Sequence, residues 1–128
     1  MSKVINDYYW SLNKQPNKTY EVDVWLYDTQ KEMLEDYKGS DKTFHKYINK
    51  VEGIFVPASM NNRYIGSIRL CKDKLSIENI VHECFHAGIE TLRHMGRHLS
   101  KRYEEKIVTA SAQLESTILK DYKKYLEV

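Results

Sequence analysis

Cysteine is scarce in this chain, with Cys71 and Cys84 the only two among 128 residues. Two cysteines do not make the disulfide framework of a small secreted domain. Long apolar runs are missing as well. The opening stretch MSKVINDYYWSLNK holds no apolar core that could serve as a secretory signal, and no segment is long enough to span a bilayer. A surplus of one charge is also lacking: 20 basic against 18 acidic residues leave a net +2. Such a balance gives no drive toward nucleic acid or an anionic membrane. There are no internal repeats and no low-complexity linker. The expectation is a soluble, cytoplasmic protein with no membrane partner. Residues 1–128 are enough for one real core and too few for two. A hydrophobic fraction of 41% with 12% aromatics belongs to a globular chain, and ten tyrosines suggest amphipathic surfaces or a groove lined by ring edges.

What is present reads as an α+β domain: a mostly antiparallel N-terminal sheet with a short helix, then two long helices. Residues 1–15 carry Tyr8, Tyr9, Trp10 and Leu12, a short strand or helix docking through its aromatics, and Pro16-Asn17-Lys18 reads as a turn. Tyr20, Val22, Val24 and Leu26 alternate with Glu21, Asp23, Trp25 and Tyr27, the pattern of a half-buried strand. Thr29 to Tyr37 reads as a short helix stopped by Gly39-Ser40, and Asp41 to Lys50 as loop or short helix. Val51 to Val56 and Arg63 to Leu70 read as two further strands, with Asn61-Asn62 suited to a hairpin turn between them. After a break at Lys72-Asp73-Lys74, one helix runs from Ile77 to Met95. A second, from about Lys101 to Leu126, carries Ile107, Val108, Leu114, Ile118, Leu119 and Tyr122.

The first long helix holds the chemistry. His82-Glu83-Cys84-Phe85-His86 puts two imidazoles four residues apart, on one face and one turn from each other. Neutral rings at that spacing can chelate one divalent cation, and the Glu83 carboxylate can then take a proton from water held by the ion. This is the H-E-x-x-H pattern of zinc peptidases, and it works only on a helix. The flanks supply one. Ser76 is placed to cap the first turn, Glu78 lies where the helix dipole favours a negative charge, and Gly96 is a natural stop. Ile77, Ile80, Val81, Cys84, Phe85, Ile89 and Leu92 make an apolar stripe with the histidines along its border. Cys84 falls on the apolar side, as a small buried residue.

Two histidines do not complete a catalytic zinc site, which normally takes three protein ligands and leaves a fourth position to water. A third histidine six residues past His86 is ruled out by Leu92. Glu104 and Glu105 lie far enough downstream for the first helix to end at Gly96 and the next to return antiparallel. From Ser76 to Leu114 the chain resembles the glutamate-ligand zincins, the thermolysin-like group, and in particular the small minimal HExxH proteins of phages and mobile elements. In such families the ligand Glu is followed three residues later by a small or apolar residue and four later by a polar one. Glu105 fits, with Val108 and Thr109, although Thr109 stands where the family usually has Asp, Asn or Glu. A helical wheel sets Glu104 nearer the apolar stripe, so both remain candidates, with Glu105 favoured by spacing.

The resemblance implies a zinc metallopeptidase acting on a protein or peptide. In it His82, His86 and Glu105 bind Zn²⁺, and Glu83 serves as general base and then proton donor to the leaving amine. An oxyanion donor would come from among His94, His98, Tyr103, Tyr64 and Arg63. The strand Arg63 to Leu70 would be the edge that holds an extended substrate. Two other readings use the same residues. One is a protein-interaction module, of host-takeover or anti-restriction type, in which zinc is structural and no peptide is cut. The other is a DNA-associated zincin, resting on the basic residues Arg93, Arg97, Lys101 and Arg102, which a solvated helix connection explains equally well.

Overall fold

In the computed structural model, residues 3–11, 19–38, 51–59, 63–96 and 100–126 are described. Four strands form one mixed sheet in the order β1-β2-β4-β3. They are β1 (Lys3–Ser11), β2 (Thr19–Tyr27), β3 (Gly53–Pro57) and β4 (Tyr64–Cys71). Helix α1 (Gln30–Lys38) follows β2, and α2 (Ile77–His94) and α3 (Glu104–Leu126) close the chain. The architecture is therefore α+β, and residues 3–11 form a strand. The expected turns at Pro16-Asn17-Lys18 and Asn61-Asn62, the stop at Gly39-Ser40 and the segment Asp41 to Lys50 lie outside the described residues. No helix among the described residues is long and apolar enough to cross a membrane.

Alternation on β2 decides the layers. Val22, Val24 and Leu26 point to one face, where they join Tyr8, Trp10, Ile68, Leu70, Ile80, Cys84, Ala110, Leu114 and Ile118 in the main core beneath α2 and α3. On the other face Tyr27 and Cys71 pack with Met33 and Leu34 of α1 and Ile54 of β3. The Tyr27 hydroxyl donates to Asp36 of α1, and Trp25 lies between two cations, Lys3 at 4.2 Å and Arg69 at 4.1 Å from its ring centre. The sheet is thus a middle layer between α1 and the α2–α3 pair.

One expectation is refined and one needs correcting. The sheet is mostly antiparallel, as expected, but mixed: β1–β2 and β3–β4 are antiparallel, and β2 and β4 pair in parallel. And the strand before α2 is not an edge. β4 lies between β2 and β3, and β3 holds the outer position. The reason is burial on both faces. Ile65, Gly66, Ser67, Ile68, Leu70 and Cys71 are all buried, the near-continuous pattern of a strand with layers on either side.

The two long helices meet at small residues. A Cβ at Gly88 would lie 2.5 Å from the Ser111 hydroxyl oxygen, and that hydroxyl donates to the Cys84 carbonyl at 3.4 Å. Ile107 also touches Gly88, so the contacts run in opposite senses and α3 returns antiparallel to α2. This close approach turns the buried face of α2 away from the stripe expected of it. Ala87, Gly88 and Thr91 are buried together with Ile80, Cys84 and Leu92, whereas Ile77 and Phe85 are exposed. Size, more than apolarity, sets which residues face the partner helix. The cap and the stop are as expected. Ser76 accepts from the Asn79 N–H at 3.1 Å, and Gly96, at φ 73, takes the left-handed position after the helix.

Candidate metal centre

Helix α2 presents His82 and His86 on its exposed side with their Nε2 atoms 3.2 Å apart. Two metal–nitrogen bonds of about 2.0–2.1 Å at a tetrahedral angle put their nitrogens about 3.3 Å apart. The pair is therefore already spaced for one shared ion, although the same separation suits a single N–H···N hydrogen bond when one ring carries its proton on Nε2. The rings meet nearly edge to face, at 76° with centres 4.8 Å apart. Partial burial and then the neighbouring His82 lower the pKa of His86, favouring the neutral ring that a ligand must be. Together with Glu83 these form the set among the described residues able to hold a metal ion, their ligand atoms lying within 4.8 Å of one another.

Glu83 has a different environment from its two neighbours. It is 3% exposed, turned toward the sheet, and lies under Gly53 of β3, where a Cβ would come 3.2 Å from both its Cγ and Oε2. Desolvation pushes its pKa up to about 7. A carboxyl held near neutrality is suited to taking and returning a proton at physiological pH. A cleft of about 410 Å³ opens beside it, bounded by Val51, Glu52, Glu78, Asn79 and His82.

The next acid on the same side of α2 is Glu90, 6% exposed. Its Oε1 accepts from Arg93 at 2.5 Å, and its Oε2 lies 3.7 Å from His94 Nε2. His94, one of the expected oxyanion donors, is therefore held against Glu90 with its side chain fully buried. Tyr64 is also drawn elsewhere: its hydroxyl donates to Asp23 at 2.8 Å, on the sheet face that carries Trp25 and Tyr27. Tyr103 is half-buried, with Lys106 over its ring, and Arg63 is exposed. His98 and Arg97 lie outside the described residues.

Glu104 and Glu105 both occupy the exposed first turn of α3, where the helix dipole favours acids. Glu104 borders a shallow, largely apolar depression with Phe85, Ile107 and Val108. Neither carboxylate belongs to the set formed by His82, Glu83 and His86. Both cysteines are free and buried, with burial pushing the Cys71 thiol up to about 12 and raising that of Cys84.

Three residues of this region escape a reading of the motif alone. Gly53 leaves room for Glu83, Phe55 of β3 lies parallel to the His86 ring, and Glu90 binds the C-terminal turn of α2 together. A lone glycine inside a strand pattern is a known mark of close approach, and Gly53 in VEGIFV carried that signal. No family model matches this chain, and neither any curated protein nor any solved structure is similar enough to count as a match.

Proposed function

We propose that this chain is a zinc-dependent peptidase of zincin-like fold, with His82 and His86 as metal ligands and Glu83 as general base. One observation carries the reading: two exposed Nε2 atoms 3.2 Å apart, directly beside a buried carboxyl whose pKa lies near 7. A zinc ion held there would lower the pKa of a bound water and polarise a substrate carbonyl. Glu83 would take the water's proton and pass it to the leaving amine, with its exchange with bulk water limited by β3. The ion's own charge would draw the Glu83 pKa below its metal-free value, leaving the carboxylate ready as a base. Glu105 is the proposed third ligand, with Glu104 as the alternative from the same turn. The substrate class, protein or peptide, is the one that the H-E-x-x-H pattern implies.

A second reading has its own support. Phe85 of α2 and Val108 of α3, exposed to 47% and 51%, line one depression together beside the helix that carries the histidines. Contiguous exposed apolar surface can mark a contact site. A zinc-containing protein-interaction module would use the same ligands without cutting a peptide bond.

Metal content separates these readings from chance. Protein purified without chelator, beside His82→Ala, Glu105→Ala and Glu104→Ala, is expected to carry near-stoichiometric zinc that His82→Ala and Glu105→Ala lose. Zinc kept in Glu105→Ala and lost in Glu104→Ala moves the ligand by one residue. No zinc in the wild type, even after supply, sinks both metal readings. Hydrolysis of unfolded protein substrates by zinc-loaded protein, abolished by Glu83→Gln with zinc retained, distinguishes the peptidase from the module.

A further inference from the structure

The two groups of the centre that need a fixed orientation both meet one short strand. On β3, Gly53 and Phe55 alternate onto the face that looks at α2. Gly53 lies over Glu83, whose Cγ and Oε2 would each be 3.2 Å from a Cβ at that position. Phe55 lies beside His86, its ring 5° from parallel with centres 6.4 Å apart, an offset stack. The order is the same on both elements, Gly53 to Phe55 against Glu83 to His86. The strand thus presents only a hydrogen where the carboxyl lies close and a parallel ring alongside the imidazole.

We propose that edge strand β3 is a template that orients the centre before any ion binds, with Phe55 and Gly53 as positioning residues for His86 and Glu83. His86 is exposed, so without a plate its ring would rotate about χ2 and its Nε2 would meet that of His82 only part of the time. With Phe55 alongside, the ring is held in the orientation that puts the two nitrogens 3.2 Å apart. Gly53 has the complementary role. A Cβ there is closer to Glu83 than ordinary contact allows, so the carboxyl must shift by a few tenths of an ångström, with Leu70 Cδ2 3.4 Å from the same position on the other side. What the orientation serves rests on the metal reading above; the orientation itself does not.

The test uses full-length protein, first metal-free. Side-chain NMR of the wild type should show a single, ring-current-displaced set of His86 ring resonances. Phe55→Leu, which keeps most of the volume, should remove that displacement and lower zinc affinity by about 10–100-fold, the range for groups that orient a ligand. Phe55→Tyr should restore both, a rescue that a purely volumetric role does not predict for the ring signal. Gly53→Ala should leave His86 and the zinc affinity unchanged while displacing the Glu83 side-chain carboxyl resonance. His86 shifts and zinc affinity that stay at wild-type values in Phe55→Leu overturn the proposal. If that variant does not fold, Gly53→Ala decides: an unmoved Glu83 resonance overturns it and a moved one supports it. Wild-type protein that takes up no zinc removes the peptidase reading, and the metal-free spectra still decide on the template.

Discussion

The two halves of helix α2 handle a buried acid in opposite ways. In the C-terminal half Glu90 is bound by Arg93 and lies against His94, both on its own helix. In the N-terminal half Glu83 is buried to a similar depth with no hydrogen-bond partner among the described residues, and desolvation alone raises its pKa to about 7. A partnered acid holds a helix end together. An unpartnered one beside two imidazoles costs stability once ionised, which makes Glu83 a candidate for chemistry. The helix thus divides into a half whose buried acid is paired and a half whose buried acid is not.

Four experiments test this division. The largest effect is expected on turnover. Glu83→Gln should lower peptide hydrolysis by about 10²–10⁴-fold, the usual contribution of a general base, whereas Glu90→Gln should leave kcat within a few-fold. Equal losses in steady-state assays would erase the distinction.

Next comes stability against pH in the metal-free protein. The Glu83 carboxyl binds its proton more tightly folded than unfolded, with a pKa of about 7 against an ordinary 4.5. Its contribution is therefore full below about pH 4.5 and lost as pH climbs through 7, worth about 3 kcal/mol by linkage. Urea titrations from pH 4 to 9 should show this decline in wild type and not in Glu83→Gln. The difference between the two curves isolates Glu83 from Asp36, whose carboxyl is held low chiefly by the Tyr27 hydroxyl and acts in the opposite sense. Parallel curves would refute the desolvation account.

Glu90→Gln should then destabilise by about 1–2 kcal/mol at pH 7, since its charge-assisted bond to Arg93 is lost. At pH 8 the two Gln variants should shift the thermal midpoint in opposite directions. Smallest is the cap: Ser76→Ala should cost about 1 kcal/mol and leave zinc binding unchanged. A larger loss, or altered zinc binding, would mean that the first turn of α2 is coupled to the histidine pair.

Much of this was legible in the sequence where a rule acts locally. The alternation on β2, the Ser76 cap, the Gly96 stop and the spacing of His82 and His86 each depend on residues within a turn or a strand of one another. Relations between elements were not legible in the same way. That β4 is central and β3 is the edge follows from which strand the layers cover, and short strands of similar composition do not announce that. The buried side of α2 was misjudged because Ala87, Gly88 and Thr91 weigh little on an apolarity scale. They are buried since α3 comes close enough at Ser111 to admit only small residues. The burial of Glu83 is of the same kind, set by Gly53, thirty residues away in sequence. Choosing between Glu104 and Glu105 depends on helix rotation and ligand reach together, which spacing alone does not decide.

The parallel join of β2 to β4 has a consequence for how the protein comes into being. Each antiparallel pair can close early, β1 with β2 and β3 with β4, because its strands are near one another along the chain. The middle of the sheet must wait until residues 19–27 and 64–71 are brought together across α1 and β3, the costlier loop closure. Only then does α2, which leaves directly from β4, find a complete floor to settle on. On a ribosome α2 would therefore dock late, and a chain released before α3 would carry the histidine pair on a helix that lacks its packing partner.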